Sequence, residues 1–373
     1  MSGSEPLDFL SLVGLADNFR LGDTIQALVP WTLSERLTEG VFFGPKEPAP
    51  VFGLLRPVIV RLLEDDNERN ASLGRPPSWY IIRDRDAVVA VSFEEHLDTP
   101  AKRSAVMKEL CERWRDKGRF ADVIGPKKWR AEMYPVYRDP FGARIEMVVG
   151  GKEEDQQARG CPNYAFSMER SACALFGVVT YGVHMTVYEE DGDGNRVKVW
   201  VPRRARTKQT WPGYLDNTIA GGIPCGMTPF ESLVKEAMEE GNIEESIVRQ
   251  HARAAGSISY FFRTEADWLQ PEIQFVYDLR IPRGLSTEAA SAFVPKPLDG
   301  EVESFELLDL AEAVSRMRAA EFKPNTALVL IDFMIRNGFI TPDNEPDFVS
   351  ILTRLHGRFE YERWGQGPYW AKS

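Results

Sequence analysis

Little in this chain suggests a stapled, exported or membrane-borne protein. It has only four cysteines, Cys111, Cys161, Cys173 and Cys225. They lie far apart and form no CxxC pair, so reduced thiols inside a cell are expected rather than a disulfide framework. The opening residues, MSGSEPLDFLSLVGLADNFRLGD, carry acids early and no run of arginines, which argues against a secretory leader and a mitochondrial presequence. No long apolar run occurs either: the longest, Thr326 to Ile340, is interrupted by Asp332, Arg336 and Asn337 and falls short of the roughly 18 residues of a spanning helix. A membrane partner is not expected, and the cytoplasm is the expected location, with the nucleus equally open. Basic excess is missing too. The 45 lysines and arginines are outnumbered by 56 acids, a net charge of −11 that would repel nucleic acid. There is no GxxxxGK[ST] loop, so phosphoryl transfer by a P-loop kinase is disfavoured, and no internal repeat or low-complexity tract is present.

What is present is ordinary globular material. With 43% apolar and 27% charged residues the chain can bury normal cores, and 373 residues suit about two domains. The first part reads as mixed α/β. Helices are predicted over Leu7–Ala16 and Val51–Leu63, and strands over Trp79–Ile82 and Ala87–Ser92 joined by the turn Arg83–Asp86. Thr99-Pro100 then caps a helix running to about Lys117, with Met107, Leu110, Cys111 and Trp114 on one stripe. The polar, glycine-flanked segment Gly150–Pro162 is the predicted linker. Domains are accordingly expected at 1–165, an N-terminal α+β unit, and at 166–345, with a helical tail over 346–373.

The second part is rich in strands. Phe176–Tyr188 and Arg196–Val201 flank EEDGDGN, a turn composition that predicts a hairpin. A calcium loop on Asp191, Asp193 and Asn195 fails, because the glycine and distal glutamate of such a loop are out of register. Further strands are predicted at Ala254–Phe262, Glu272–Arg280 and Val302–Leu307, and helices at Leu310–Ala320 and Asn325–Asn337. His184 reads as a satisfied core histidine.

The chemistry concentrates in Ala220–Ile243, AGGIPCGMTPFESLVKEAMEEGNI. Gly221, Gly222 and Gly226 with Pro224 form a loop whose backbone can approach a ligand closely. Thr228, Pro229 and Glu231 supply a capping hydroxyl, a first-turn proline and a capping-box acid that begin a helix, and Asn242 suits the left-handed residue that ends it. Glu236, Glu239 and Glu240 stand at i, i+3 and i+4 and share a face, with Phe230, Val234, Ala237 and Met238 pointing to a core. Like charges at this spacing destabilise a helix by roughly 0.2–0.5 kcal/mol per pair, which a hard divalent ion with oxygen ligands would relieve.

This stretch resembles the box of the Nudix hydrolases, G-x5-E-x7-R-E-U-x-E-E-x-G-U with U bulky aliphatic. It matches at Gly221, Glu236, Glu239, Glu240 and Ile243, and departs at Met227, Lys235, Ala237 and Asn242. The segments LFGVVTYGVHM, RRARTKQTWPGYLDNTIAGGIPCGM, DGEVESFELL and ALVLIDFMIRNGFITPDN extend the likeness to a plant and fungal subfamily with an extra N-terminal domain, often labelled thiamine pyrophosphokinase-related, in which an apolar residue at the position of Met227 is common. The resemblance implies an α/β/α sandwich with a mixed sheet, preceded by a smaller α+β domain. It also implies hydrolysis of a small-molecule diphosphate, above all thiamine diphosphate and its oxidised or damaged forms, to the monophosphate.

By the same resemblance Mg2+, or Mn2+ in its place, is the expected cofactor, with Glu236, Glu239 and Glu240 as metal ligands and Glu239 and Glu240 also catalytic. Glu301, with Glu303 as its neighbour, is the candidate base for the attacking water. Gly221 and Gly222 would contribute backbone contacts, and Arg204 and Lys208 would pair with diphosphate oxygens. A flat, cationic heterocycle suits aromatic stacking; of Trp211, Tyr214, Tyr260, Phe261, Phe262 and Trp268, Trp211 is best placed. Two alternatives stay open: hydrolysis of a nucleoside diphosphate linked to another moiety, which the sequence does not separate from the first reading, and a Nudix-fold sensor that binds without turnover, which Met227 would favour and the three glutamates oppose.

Overall fold

The computed structural model describes residues 6–20, 28–33, 51–143, 162–191, 196–298 and 300–359. Among them no helix is long and apolar enough to cross a membrane. Two sheets organise the chain. The first is built from strands β1 (Val29–Thr32), β2 (Val51–Leu55), β3 (Trp79–Asp84) and β4 (Ala87–Phe93) in the order β2-β1-β4-β3. Helices Pro57–Ser72 and Pro100–Asp116 accompany it, and Trp31, Phe52, Trp79, Phe93 and Phe166 fill its core. The Thr99 hydroxyl accepts the Lys102 N–H, so that helix starts where its cap predicts.

The predicted helix over Val51–Leu63 is corrected. Residues 51–55 are strand β2 and the helix begins at Pro57. The reason is steric: the residue before a proline is pushed out of the helical region, and Arg56 is extended at φ −70°, ψ 152°. VFGLL is buried at every position, a pattern that a doubly covered strand and a buried helix share.

A two-stranded ribbon follows, β5 (Met133–Tyr137) antiparallel to β6 (Tyr164–Glu169). Its connection contains nearly all of the predicted linker, which lies outside the described residues. The predicted strand from Phe176 starts later, at Thr180, because Cys173–Phe176 is a short helix ended by Gly177 at φ 56°.

The larger sheet comprises β7 (Thr180–Glu190), β8 (Val197–Arg204), β9 (Ile219–Gly222), β10 (Arg253–Arg263), β11 (Leu269–Arg280) and β12 (Val302–Asp309). The order is β10-β11-β7-β8-β12, with β9 antiparallel to β7, and only the β11–β7 pairing is parallel, so the sheet is mixed as expected. The tip of the β7–β8 hairpin, 192–195, lies outside the described residues. Alternation along β7 divides the molecule into layers. Tyr181, Val183, Met185 and Val187 share a core with Leu233, Val234 and Ala237 of the Pro229–Gly241 helix. The opposite face lies toward the Pro324–Arg336 helix, which is buried over most of its length. The result is the α/β/α arrangement read from the sequence. The first helix, Phe9–Ala16, packs on this second layer against helices Pro324–Arg336 and Phe348–Leu355. Asp17, at its end, is bound by Arg354, Nε to Oδ2 at 3.0 Å.

Candidate active site

The glycine strand and the helix after it meet at the centre of the large sheet. The Thr228 hydroxyl accepts the Glu231 N–H at 3.2 Å, Pro229 occupies the first turn, and Asn242 closes the helix at φ 51°, so all three local signals operate as read. Leu233, Val234 and Ala237 are buried beneath it. Met238, expected in the core, is 43% exposed, since at about 100° per residue it stands roughly a quarter turn from the centre of the buried stripe.

The three glutamates are not equivalent. Glu240 turns inward and accepts the Ala220 N–H at 3.2 Å. Burial, reinforced by Glu236 and Asp216, pushes its carboxyl up to about 8. Glu236 lies against the bare α-carbon of Gly221, where a Cβ would come within 2.2 Å of its Cγ; burial raises its carboxyl as well, against the pull of Lys235. Glu239, on the outer edge of the trio, is 52% exposed and paired with Lys235 at 2.9 Å. The same ammonium lies 3.3 Å from Glu236. Among the described residues no group of three or more histidine, cysteine or acidic side chains is gathered closely enough to hold a metal ion. Glu236 and Glu240 are brought together beside the glycine strand, and Glu239 meets Glu236 across the shared Lys235 ammonium. The donor chemistry still fits Mg2+, which takes a few carboxylates and keeps waters as its other ligands: two crowded carboxylates whose charged forms are disfavoured are what a cation would relieve.

The basic residues are engaged locally. Arg204 holds buried Asp216 at 2.5 Å and donates to the carbonyls of Thr210 at 3.1 Å and Trp211 at 3.2 Å. Its guanidinium thus shapes the 205–214 loop, in contrast to the diphosphate contact expected of it. Burial alone would raise the Asp216 carboxyl, but Lys323 and Arg204 overcome it and hold the group below its usual range. Lys208 is paired with Glu301, so the expected anion-binding lysine and the expected base neutralise each other here. Glu303 accepts the Arg206 N–H at 3.3 Å. Trp211 sits in the left-handed region at φ 53° with Tyr214 edge-on at 5.1 Å, at the loop position expected for a stacking aromatic. Trp268 and Phe261 fill core instead.

On the other face of β7, His184 is buried, with Nδ1 2.7 Å from Asn217 Oδ1. Burial, with Lys323 adding to it, lowers its imidazole to about 4, so it is a neutral core histidine as read. Beside it Tyr260 receives hydrogen bonds from Gln274 at 3.0 Å and Asn325 at 2.8 Å and donates to Glu272.

Sequence reading missed what the ribbon contributes. The Cys225 N–H donates to the Met133 carbonyl at 2.8 Å, which seats β5 against the glycine loop. Gly222 faces Tyr134 so closely that a Cβ there would lie 1.4 Å from the phenolic oxygen. Arg170, just beyond β6, stacks its guanidinium 5.0 Å from the Tyr134 ring centroid and bonds Glu132 at 2.8 Å.

Residues 180–329, which contain the glycine strand, its helix and the Arg204 loop, match the NUDIX domain family. This part of the chain is a NUDIX domain. The chain is also similar to the uncharacterized protein YJR142W of Saccharomyces cerevisiae, 43% identical over 204 residues, or 52% of this chain and 57% of that protein. It is similar to Nudix hydrolase 20, chloroplastic, of Arabidopsis thaliana, 34% identical over 269 residues, or 72% of this chain and 62% of that one. The likeness to the plant protein is longer than the NUDIX domain and so extends outside it. The chain spans about three fifths of the length of these relatives. The crystal structure of DR0079 from Deinococcus radiodurans aligns at 23% identity with a TM-score of 0.30, covering 41% of this chain and 83% of that one.

Proposed function

We propose that this protein is a divalent-metal-dependent hydrolase of a diphosphate linkage, acting on thiamine diphosphate and its oxidised or damaged analogues to give the monophosphate and phosphate. The observation that carries the reading is the pair of crowded carboxylates, Glu236 and Glu240, anchored against a strand whose glycines leave the backbone open. Residents of a solvated helix face would have no reason to be buried beside each other, because the arrangement disfavours their charged forms. The NUDIX domain and the relatives named as Nudix hydrolases support the same chemistry.

A divalent ion bound at Glu236 and Glu240 would neutralise phosphate oxygens and favour deprotonation of the attacking water. The chain's residues do the rest. The Ala220 N–H fixes the Glu240 carboxylate, and Arg204 holds the 205–214 loop through Asp216 and so positions Trp211 at its tip. Lys208 and Glu301 form a pair that a polyanionic substrate would open by competing for the ammonium, which would release the Glu301 carboxylate to act as base. The cationic ring of thiamine suits the aromatic pair Trp211–Tyr214 and the negative charge of the chain.

Activity should be assayed as phosphate or monophosphate release from thiamine diphosphate, oxythiamine diphosphate and ADP-ribose, with and without Mg2+. Glu240→Gln should lower the Mg2+-dependent rate by at least about 100-fold while leaving the fold intact. A fall of less than about threefold contradicts the assignment, and preference for ADP-ribose over both thiamine compounds refutes the substrate class.

A further inference from the structure

We infer that Arg170, seated on Tyr134, is a substrate-binding residue that grips the diphosphate group from the side of the glycine strand opposite Glu236 and Glu240. The inference rests on the diphosphate hydrolase reading and adds a cation to the Lys208 of that reading, since Arg204 is committed to Asp216 and two loop carbonyls.

Four observations carry it. The Arg170 side chain is 41% exposed, yet it borders the glycine strand: a Cβ on Gly222 would lie 3.4 Å from its Cζ. It has five N–H donors in a planar fork suited to phosphate, and its hydrogen bond among the described residues is the one to Glu132 at 2.8 Å. Tyr134 beneath it is 3% exposed, and its buried hydroxyl has no hydrogen-bond partner among the described residues, although a buried hydroxyl ordinarily finds one. That oxygen is packed against the bare α-carbon of Gly222, which holds the ring, and the guanidinium on it, at the glycine strand. Finally, cations gather here in a chain of net charge −11. Lys127, Lys128 and Arg130 lead into β5, Lys128 donates to the Gln209 carbonyl of the Arg204 loop at 3.4 Å, and Arg130 is close enough to Arg170 for the two guanidiniums to repel. Glu132 and Glu169 offset part of this positive charge, and the surplus favours an anion.

The ribbon thus makes the N-terminal region a wall of the site. Glu132 orients the Arg170 fork and the Tyr134 ring supports it from below, leaving the remaining N–H groups for phosphate oxygens.

The test uses the full chain and two readouts: steady-state kinetics on thiamine diphosphate, and calorimetric titration with inorganic pyrophosphate. Arg170→Ala should raise KM and weaken pyrophosphate binding by about 30-fold or more, as loss of a charge-assisted bidentate contact does. Arg170→Lys should recover only part of the loss, with an unchanged thermal midpoint. If Arg170→Ala unfolds, the lysine variant alone decides, because it keeps the charge and the stem. Pyrophosphate affinity and KM within about twofold of wild type in both arginine variants overturn the inference, as does a wild-type protein that binds no pyrophosphate. The hydrolase reading fails separately, if Glu240→Gln keeps its rate. Should no diphosphate be turned over, the calorimetric comparison still decides the role of Arg170.

Discussion

An alanine at position 222 would place a methyl carbon 1.4 Å from the Tyr134 hydroxyl oxygen and 2.6 Å from Cζ of the same ring. Neither atom can retreat easily. Tyr134 is buried, Arg170 covers one face of its ring, β5 is paired with β6 along its whole length, and Met133 is tied to Cys225 through the backbone. Overpacking in a well-filled site costs typically 1–3 kcal/mol, and an overlap this deep against an anchored ring belongs at the upper end. The stiffer unfolded chain offsets about 0.4–1 kcal/mol. A net loss of about 2 kcal/mol is expected, or about 2–4 °C in thermal midpoint for a chain of this length. Urea unfolding of the full chain measures it. The decisive comparison is a double-mutant cycle with Tyr134→Ala. That variant removes the obstacle, so Gly222→Ala added to it should cost less than about 0.5 kcal/mol, giving a coupling of about 2 kcal/mol. An equal penalty in both backgrounds, or no penalty in either, would show that the ribbon does not press on the glycine strand and would refute the reasoning.

Gly221→Ala is expected to behave differently, because the atom it meets belongs to the Glu236 side chain, which can swing aside: the midpoint should hold within about 2 °C while the metal-dependent rate falls about tenfold or more, read from paired melting and activity assays. His184 is buried neutral with its pKa near 4, so the unfolded chain binds a proton there that the folded one does not. Stability is full above about pH 6.5 and drains away as the pH falls toward 4, by about 3 kcal/mol, and His184→Gln should flatten that limb in urea titrations taken at successive pH values. Arg204→Met strands the buried Asp216 carboxylate and should destabilise by about 3–5 kcal/mol; a loss below about 1 kcal/mol would mean that Lys323 alone neutralises it.

Features set by neighbouring residues were legible in the sequence. The threonine cap, first-turn proline and terminal asparagine of the glutamate helix act within a few residues of one another, and their reading stands. Strand β2 was not legible, since a buried apolar run has the same pattern in either conformation, and the proline that divides it from the next helix was the neglected sign. At the site the kinds of residue were legible and their partners were not. Nothing local to Arg204 reveals Asp216, and nothing local to Lys208 reveals Glu301, because both pairings depend on how β8, β12 and the loop close in space. Glu239 was grouped with its neighbours by spacing, yet spacing does not tell which edge of a helix face reaches the sheet. Tyr134 and Arg170 carried no motif at all; they arrive through a ribbon whose strands pair across the linker.

The docking of the first helix onto the Pro324–Arg336 and Phe348–Leu355 helices means that residues 9–16 are fastened to segments more than 300 positions further along the chain. Leu12 and Val13 sit in the same apolar cluster as Leu328, Ile331 and Ile351. Cutting at residue 166 to isolate the half that holds the NUDIX domain would therefore strip away its outermost cover and leave an oily scar on the excised fragment. Residues 9–16, on the far layer of the sheet from the glutamates and silent in any motif, are thus a clasp without which the NUDIX half would not be a finished object.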